Sequence, residues 1–194
     1  MTKPWTVLRS HYLVKDKWMT LRVDTCKTAS GVIVDPYYVQ EVVDWVNIAA
    51  FDEDQRLLVV EQYRHAFRGV TIELPAGCVE IGEAPIESIK RELLEETGCE
   101  VRSIFELPTQ VPNPARNQNK LYQFVALGTE ITSPQNLEPS EGITFSFKPI
   151  HQVLALIDSG AFHSPMQTTN LFMGIRHLNA LSRVGEIDWK IVDL

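Results

Sequence analysis

Positive charge is in short supply: 18 lysines and arginines stand against 25 aspartates and glutamates in 194 residues, a formal net charge of −7. A nucleic-acid surface needs clustered Lys and Arg, so no nucleic-acid partner is expected. A phosphate-bearing substrate stays compatible where metal ions and a few placed arginines supply the positive field. Cysteine is also scarce. Cys26, Cys78 and Cys99 are odd in number and form no CxxC pair, which argues against a disulfide scaffold and suits a reducing cytosol. No apolar run approaches membrane-spanning length, and the opening MTKPWTVLRSHYLVKDKW lacks the apolar core of a signal peptide. The expectation is a cytoplasmic protein with no membrane partner. Gly-x-Gly-x-x-Gly and Walker loops are missing, which leaves nicotinamide and P-loop chemistry without support. His11, His65, His151, His163 and His177 are scattered without ligand spacing and read as structural or surface residues.

What is present is a strong element pattern in a chain long enough for one sizeable core and a small appendage. Residues 5–50 alternate apolar and polar positions in short runs punctuated by Gly31 and the Asp35-Pro36 pair, the pattern of antiparallel strands and turns. WVNIAAF and DEDQRLLVVEQYR read as a hairpin turning at Asp52 to Gln55, and VTIELPAG reads as one further strand. From Pro85 the period changes: Ile86, Ile89, Leu93 and Thr97 form a stripe at helical spacing, with Pro85 suited to the first turn and Gly98 to the C-terminal cap. SIFELPTQV and KLYQFVALG read as strands around a Pro- and Asn-rich loop, and SEGITFSFKPI as another strand. PIHQVLALIDSG and SPMQTTNLFMGIRHLNALSR read as helices, the second capped by Ser164 with Pro165 first inside. The pattern predicts a mixed α/β sandwich over residues 46–194, preceded by a small β-unit over residues 1–45.

The stretch GCVEIGEAPIESIKRELLEETGC holds six carboxylates, at Glu80, Glu83, Glu87, Glu92, Glu95 and Glu96. Each helical residue turns about 100°, so Glu92, Glu95 and Glu96 share a face away from the apolar stripe. Three carboxylates so close repel one another unless cations neutralise them, and Lys90 and Arg91 cannot cancel the whole cluster. An oxygen-only donor set suits Mg²⁺ or Mn²⁺ rather than zinc.

This stretch is similar, position by position, to the Nudix box G-x5-E-x7-R-E-U-x-E-E-x-G-U, where U is a bulky aliphatic residue. Gly77, Glu83, Arg91, Glu92, Leu93, Glu95, Glu96 and Gly98 fit, and Cys99 fills the last U position as a small hydrophobe. The resemblance implies a Nudix-type α/β/α sandwich with a mixed sheet, the box forming loop–helix–loop. It also implies cleavage of nucleoside diphosphates linked to another group, with Mg²⁺ or Mn²⁺ as cofactor. Carried over by position, Glu92 and Glu96 would be direct metal ligands. Glu95 would be a ligand or a water-mediated one, and the carbonyl of Ala76 a further ligand. Arg91 would orient the glutamates and Glu83 would brace the loop.

The flanks resemble the ADP-ribose pyrophosphatase branch, in which a strand ending Q-[YFI]-R precedes E-[LFM]-P-A-G. VVEQYRHAFRGVTIELPAG matches both, and Arg64 would then contact the substrate pyrophosphate. The alternative for Arg64 is a surface ion pair with Glu61 or Glu73. Pro114 lies sixteen residues past Gly98, as in that branch, with ARNQNK in place of the usual Gly-rich continuation. The branch commonly draws its base from a loop glutamate after the box. Glu141 holds that place and Glu138 is its neighbouring alternative. The N-terminal β-unit of these proteins exchanges between subunits of a homodimer and supplies aromatics to the base. Trp18 matches that region, with structural packing as its other reading, and Trp5 and Trp45 read as core or interface packing. The implied reaction is hydrolysis of ADP-ribose or a related nucleoside diphosphate sugar to a nucleoside monophosphate and a sugar phosphate. Other dinucleotides, nucleoside triphosphates and a non-catalytic nucleotide-sugar sensor are the competing readings.

Overall fold

The computed structural model describes residues 3–194. It divides into two compact units, one comprising the chain up to Asp44 with Val111–Lys120, the other Trp45–Gln110 with Leu121–Leu194.

The first unit is an antiparallel meander of β1 (Thr6–Lys15), β2 (Thr20–Lys27) and β3 (Ile33–Glu41). Gly31 turns the chain between β2 and β3 at φ 91°, a left-handed conformation that favours glycine. Asp35-Pro36 does not end a strand, as its composition suggested. It lies inside β3 as a cis peptide, at a bulge where the pairing steps from Asp24↔Tyr37 to Cys26↔Val34. An edge strand with a bulge tolerates a residue that has no N–H to give the ladder. The 111–120 segment joins this unit through specific bonds. Tyr37 Oη donates to the Ala115 carbonyl at 2.8 Å, the Asn119 amide to the Val43 carbonyl at 3.1 Å, and the Lys120 N–H to Asp44 at 2.7 Å.

The second unit contains β4 (Trp45–Phe51), β5 (Arg56–Arg64), β6 (Gly69–Glu73), β7 (Ala76–Cys78), α1 (Pro85–Thr97), β8 (Cys99–Gln110), β9 (Leu121–Ile131), β10 (Thr144–Pro149), α2 (Ile150–Asp158) and α3 (Pro165–Arg183). The seven-stranded sheet runs β10-β5-β4-β9-β8, with β6 on β5 and β7 on β4. β4 and β9 are parallel and the other pairs antiparallel, so the sheet is mixed. The segment read as one strand, VTIELPAG, is two. Pro75 cannot donate to a ladder, and at Leu74-Pro75 the chain leaves β5 as its partner and pairs with β4.

Strand alternation assigns the faces. Val46, Ile48 and Ala50 of β4 point to a core shared with Ile89 and Leu93 of α1. Ala49 and Phe51 point to the opposite core, with Val153 of α2 and Leu171, Ile175 and Leu178 of α3. The result is an α/β/α sandwich. No helix among the described residues is long and apolar enough to cross a membrane.

Beyond α3 the tail returns to the second core. Trp189 is buried edge-on to Phe51, with ring centroids 4.9 Å apart, and its indole N–H donates to Asn179 Oδ1 at 2.9 Å. The same Asn179 side chain bonds both the N–H and the carbonyl of Val192. Trp189→Ala removes a large buried ring and leaves Asn179 short of a donor. It should cost about 3–5 kcal/mol of stability, read as a lower urea midpoint in equilibrium unfolding.

Candidate active site

The site is built on the loop between β7 and α1 and on the last two turns of α1. β7 pairs with Trp45–Asn47 of β4, which anchors the loop to the middle of the sheet. Pro85 occupies the first helical turn, where its missing N–H costs nothing. Gly98 ends the helix at φ 67°, and a Cβ there would meet the Ser133 carbonyl oxygen at 1.9 Å. Two independent constraints therefore demand glycine at 98. A Cβ on Gly77 would lie 2.0 Å from the carboxyl carbon of Glu92, so any larger residue there would displace that carboxylate. The glutamate folds down onto bare backbone.

Arg91 organises the acidic side chains. Its Nε and Nη2 donate to the two Glu83 oxygens at 3.1 and 3.0 Å, and Nη1 donates to Glu92 at 2.9 Å and Glu95 at 3.1 Å. Nη2 also reaches the Cys78 carbonyl at 3.2 Å. Glu83 accepts from Ser88 Oγ at 2.5 Å as well, and with Arg91 beside it the carboxyl is pushed down to about 2. Glu83 thus ties the loop to the helix.

Glu92 and Glu96 are the opposite case. Burial pushes Glu92 upward, against the pull of Arg91. Glu96 is 6% exposed and is pushed up to about 8, first by burial and then by the charges of Glu92 and Glu141, with one N–H, from Ala76 at 3.2 Å, pulling the other way. Glu95 stands more open on the same face. Among the described residues no three acidic, histidine or cysteine side chains converge tightly enough to enclose a cation as they stand. Arg91 holds Glu92 and Glu95 to itself instead. The donor chemistry still fits a hard divalent ion: an oxygen-only set, a glycine cradle under Glu92, and one partly buried and one buried carboxyl whose charged forms a cation would stabilise.

Glu141 lies in the loop between β9 and β10. That loop is pinned to the end of α1: Asn136 N–H donates to the Glu95 carbonyl at 2.9 Å, and the Gln135 amide to the carbonyls of Glu96 and Ile143 at 2.6 and 3.2 Å. The pinning brings Glu141 near enough for its charge to raise Glu96. Its own carboxylate accepts the Glu138 N–H at 3.0 Å.

Arg64, at the end of β5, forms a two-pronged pair with Glu73 of β6, at 2.7 and 2.6 Å, and Glu61 pairs with Lys148 instead. Arg64 and Glu73 line a cavity of about 350 Å³ together with Asn47, Ala76, Gly77 and Gln167. A larger groove of about 580 Å³ follows the outer face of α1 past Glu87, Lys90 and Leu94, but it has no contact with Ala76 or Gly77. Sequence reasoning missed Gln167, whose partners are more than ninety positions away. In the N-terminal unit Trp18 is 84% exposed at the β1–β2 turn, stacked only under Lys17 Nζ at 4.5 Å, so it does not pack into a core there.

The buried Glu96 carboxyl makes stability depend on pH. Folded Glu96 holds its proton up to about 8, whereas an ordinary carboxyl loses it near 4.5. Between those values the folded chain binds more protons than the unfolded one, so stability falls as pH rises. In EDTA the urea midpoint should fall from pH 5 to pH 8. Mg²⁺ should abolish the fall by replacing the proton, and Glu96→Gln should flatten it without metal.

Comparison with known proteins places these features. The NUDIX domain model matches residues 43–166, and the model of the nucleoside diphosphate sugar hydrolase N-terminal domain matches residues 5–40. An ADP-ribose pyrophosphatase of Mycobacterium tuberculosis is 30% identical over 135 residues, 67% of this chain and 63% of that protein. A methanol dehydrogenase activator of Bacillus methanolicus is 34% identical over 83 residues, 43% of this chain and 45% of that protein. The chain thus spans less than two thirds of the length of either relative. A crystal structure of an ADP compounds hydrolase shares the fold, with a TM-score of 0.80 over 96% of this chain and 99% of that one at 20% identity. With the NUDIX match covering more than half of its residues and an unbroken box of glutamates, arginine and glycines inside that match, the chain belongs to the Nudix family.

Proposed function

We propose that this protein hydrolyses the pyrophosphate bond of ADP-ribose or a related nucleoside diphosphate sugar, with Mg²⁺ or Mn²⁺ as cofactor. The products are a nucleoside monophosphate and a sugar phosphate. The observation that carries this reading is the partly buried Glu92 and the buried Glu96, both pushed upward by burial, next to a cavity lined by Ala76, Gly77 and the half-exposed Arg64. The match to a nucleoside diphosphate sugar hydrolase N-terminal domain and the similarity to an ADP-ribose pyrophosphatase support the substrate class.

Glu92, Glu95 and Glu96, with the carbonyl of Ala76, would hold the metal. The bound ion supplies the positive charge that offsets the phosphoryl oxygens and makes water more acidic. Arg91 keeps Glu92 and Glu95 oriented, and Arg64 adds a fixed cation for the pyrophosphate. Glu141 acts as general base and takes the proton of the attacking water. Trp18 offers an open indole face for the base. The N-terminal sheet leaves Val7, Leu8, Leu13 and Ile33 exposed, which suits burial against a second copy in a homodimer. All three cysteines are free, which suits a reducing, cytoplasmic setting.

Product identification with Mg²⁺ across ADP-ribose, other nucleotide sugars, dinucleoside polyphosphates and nucleoside triphosphates tests the reaction. Nucleotide sugars should be split to a nucleoside monophosphate and a sugar phosphate, and EDTA should stop the reaction. Hydrolysis of triphosphates alone would move the substrate class. Binding of nucleotide sugars with no cleavage at all would make the protein a sensor.

Glu141→Gln should lower kcat by about two to four orders of magnitude, the range for losing a general base, with metal affinity little changed in a Mn²⁺ titration. A near-wild-type rate would pass the base to another residue, Glu138 first.

A further inference from the structure

Gln167 sits in the first turn of α3, where its N–H bonds the capping Ser164 Oγ at 3.4 Å and its side chain is turned inward and 5% exposed. A buried amide can make four hydrogen bonds, and this one makes three, all to a single short stretch of β6 and its exit. Nε2 donates to Glu73 Oε2 and to the Leu74 carbonyl, both at 3.3 Å, and Oε1 accepts the Leu74 N–H at 2.9 Å. Glu73 is nearly buried, and its carboxylate is saturated: Arg64 takes both oxygens, Thr71 Oγ1 donates at 2.5 Å, and Gln167 completes the set. The fork uses Arg64 Nε and Nη2, and Nη1 has no hydrogen-bond partner among the described residues. Two positions after Leu74, the Ala76 N–H meets Glu96. One side chain therefore holds both the counter-ion of the cavity arginine and the backbone leading into the glutamate cradle.

We propose that Gln167 is a positioning residue, which through Glu73 fixes how Arg64 presents its unbonded N–H groups to a pyrophosphate and through Leu74 fixes the approach to Ala76. The inference rests on the pyrophosphohydrolase reading for its effect on substrate, but the restraint on Arg64 is measurable without any substrate. Solvation of a loosened guanidinium would let it leave the geometry in which a bidentate contact forms, and small misplacements of this kind are costly in rate or binding.

Two variants test it in the full chain. Gln167→Met keeps the volume and loses all three bonds. Gln167→Glu keeps the acceptor for Leu74 and sets a like charge against Glu73. In both, solvent exchange of the Arg64 Nε–H, followed by ¹⁵N NMR, should speed up by at least about tenfold. KM for ADP-ribose should rise about tenfold with kcat changed by less than about threefold. In the Arg64→Ala background Gln167→Met should add no further KM loss, the non-additivity of residues acting as a unit. Asn179→Ala, which loosens the far end of α3, should leave exchange and KM alone.

Unchanged Arg64 exchange in both variants overturns the proposal, and so does an additive loss in the double variant or an equal effect from Asn179→Ala. Faster exchange in a protein whose wild type leaves ADP-ribose intact would sink the substrate reading while the restraint on Arg64 stands.

Discussion

Glu92, partly buried, and Glu96, buried, stand one turn apart on one helix, and the groups bonded around them bear on the cost of their charge. Arg91 meets part of that cost from within the chain. A single guanidinium bonds Glu83, Glu92 and Glu95 and still reaches the Cys78 carbonyl. The pairs with Glu83 and Glu92 are partly buried and are screened less than an exposed pair such as Lys90–Glu87, which is worth about 1 kcal/mol or less. The organisation of the loop therefore depends on Arg91 far more than on the other charges of α1. Glu96, which Arg91 does not touch, keeps the larger deficit, and its upward shift is the mark of a position awaiting either a proton or a cation.

The sheet explains why these groups can be held so close. β4 lies inside the sheet, with one face against α1 and the other against α3. β7 pairs with the start of β4, so the glycine loop begins from a rigid strand rather than from solvent. At the other end of α1, the close approach of Gly98 to Ser133 draws in the β9–β10 loop, and Gln135 and Asn136 fasten it to the last carbonyls of the helix. Those bonds also satisfy acceptors that a helix end leaves orphaned. Fastening that loop sets the distance at which Glu141 acts on Glu96.

The elements legible in the sequence are those with a local pattern. The spacing of Glu83, Arg91, Glu92, Glu95 and Glu96 is an intrahelical fact, and so is the apolar stripe that buries Ile89 and Leu93. The segments WVNIAAF, DEDQRLLVVEQYR and KLYQFVALG marked β4, β5 and β9, and Ser164-Pro165 marked the start of α3. What was not legible depends on partners distant in sequence. Whether Arg64 pairs with Glu61 or Glu73 is decided by the β5–β6 register and by Lys148, which takes Glu61. Gln167 reads as an ordinary helix residue until Leu74, ninety-three positions back, is placed beside it. The same holds for Trp189, whose ring meets Phe51, and for the 111–120 segment, whose bonds to Tyr37 and Val43 bridge more than seventy positions. Asp35-Pro36 carried a turn signal that an edge-strand bulge overrode.

The Arg64–Glu73 pair also settles what kind of interaction it is. A half-exposed arginine opposite a nearly buried glutamate gains little net stability, because desolvating Glu73 offsets much of the attraction. Burial and hydrogen bonding pull the Glu73 carboxyl in opposite directions, and the bonds from Arg64, Thr71 and Gln167 prevail, holding it below the usual carboxylate range. The carboxylate therefore stays charged near neutral pH and remains a partner for the guanidinium. The consequence is conformational rather than energetic: a long, flexible side chain is restricted to one direction before any ligand arrives. An arginine restricted beforehand loses less freedom on meeting a phosphate than one recruited from solvent. That difference gives a buried glutamate and a buried glutamine a reason to stand beside Arg64 in the wall of the cavity.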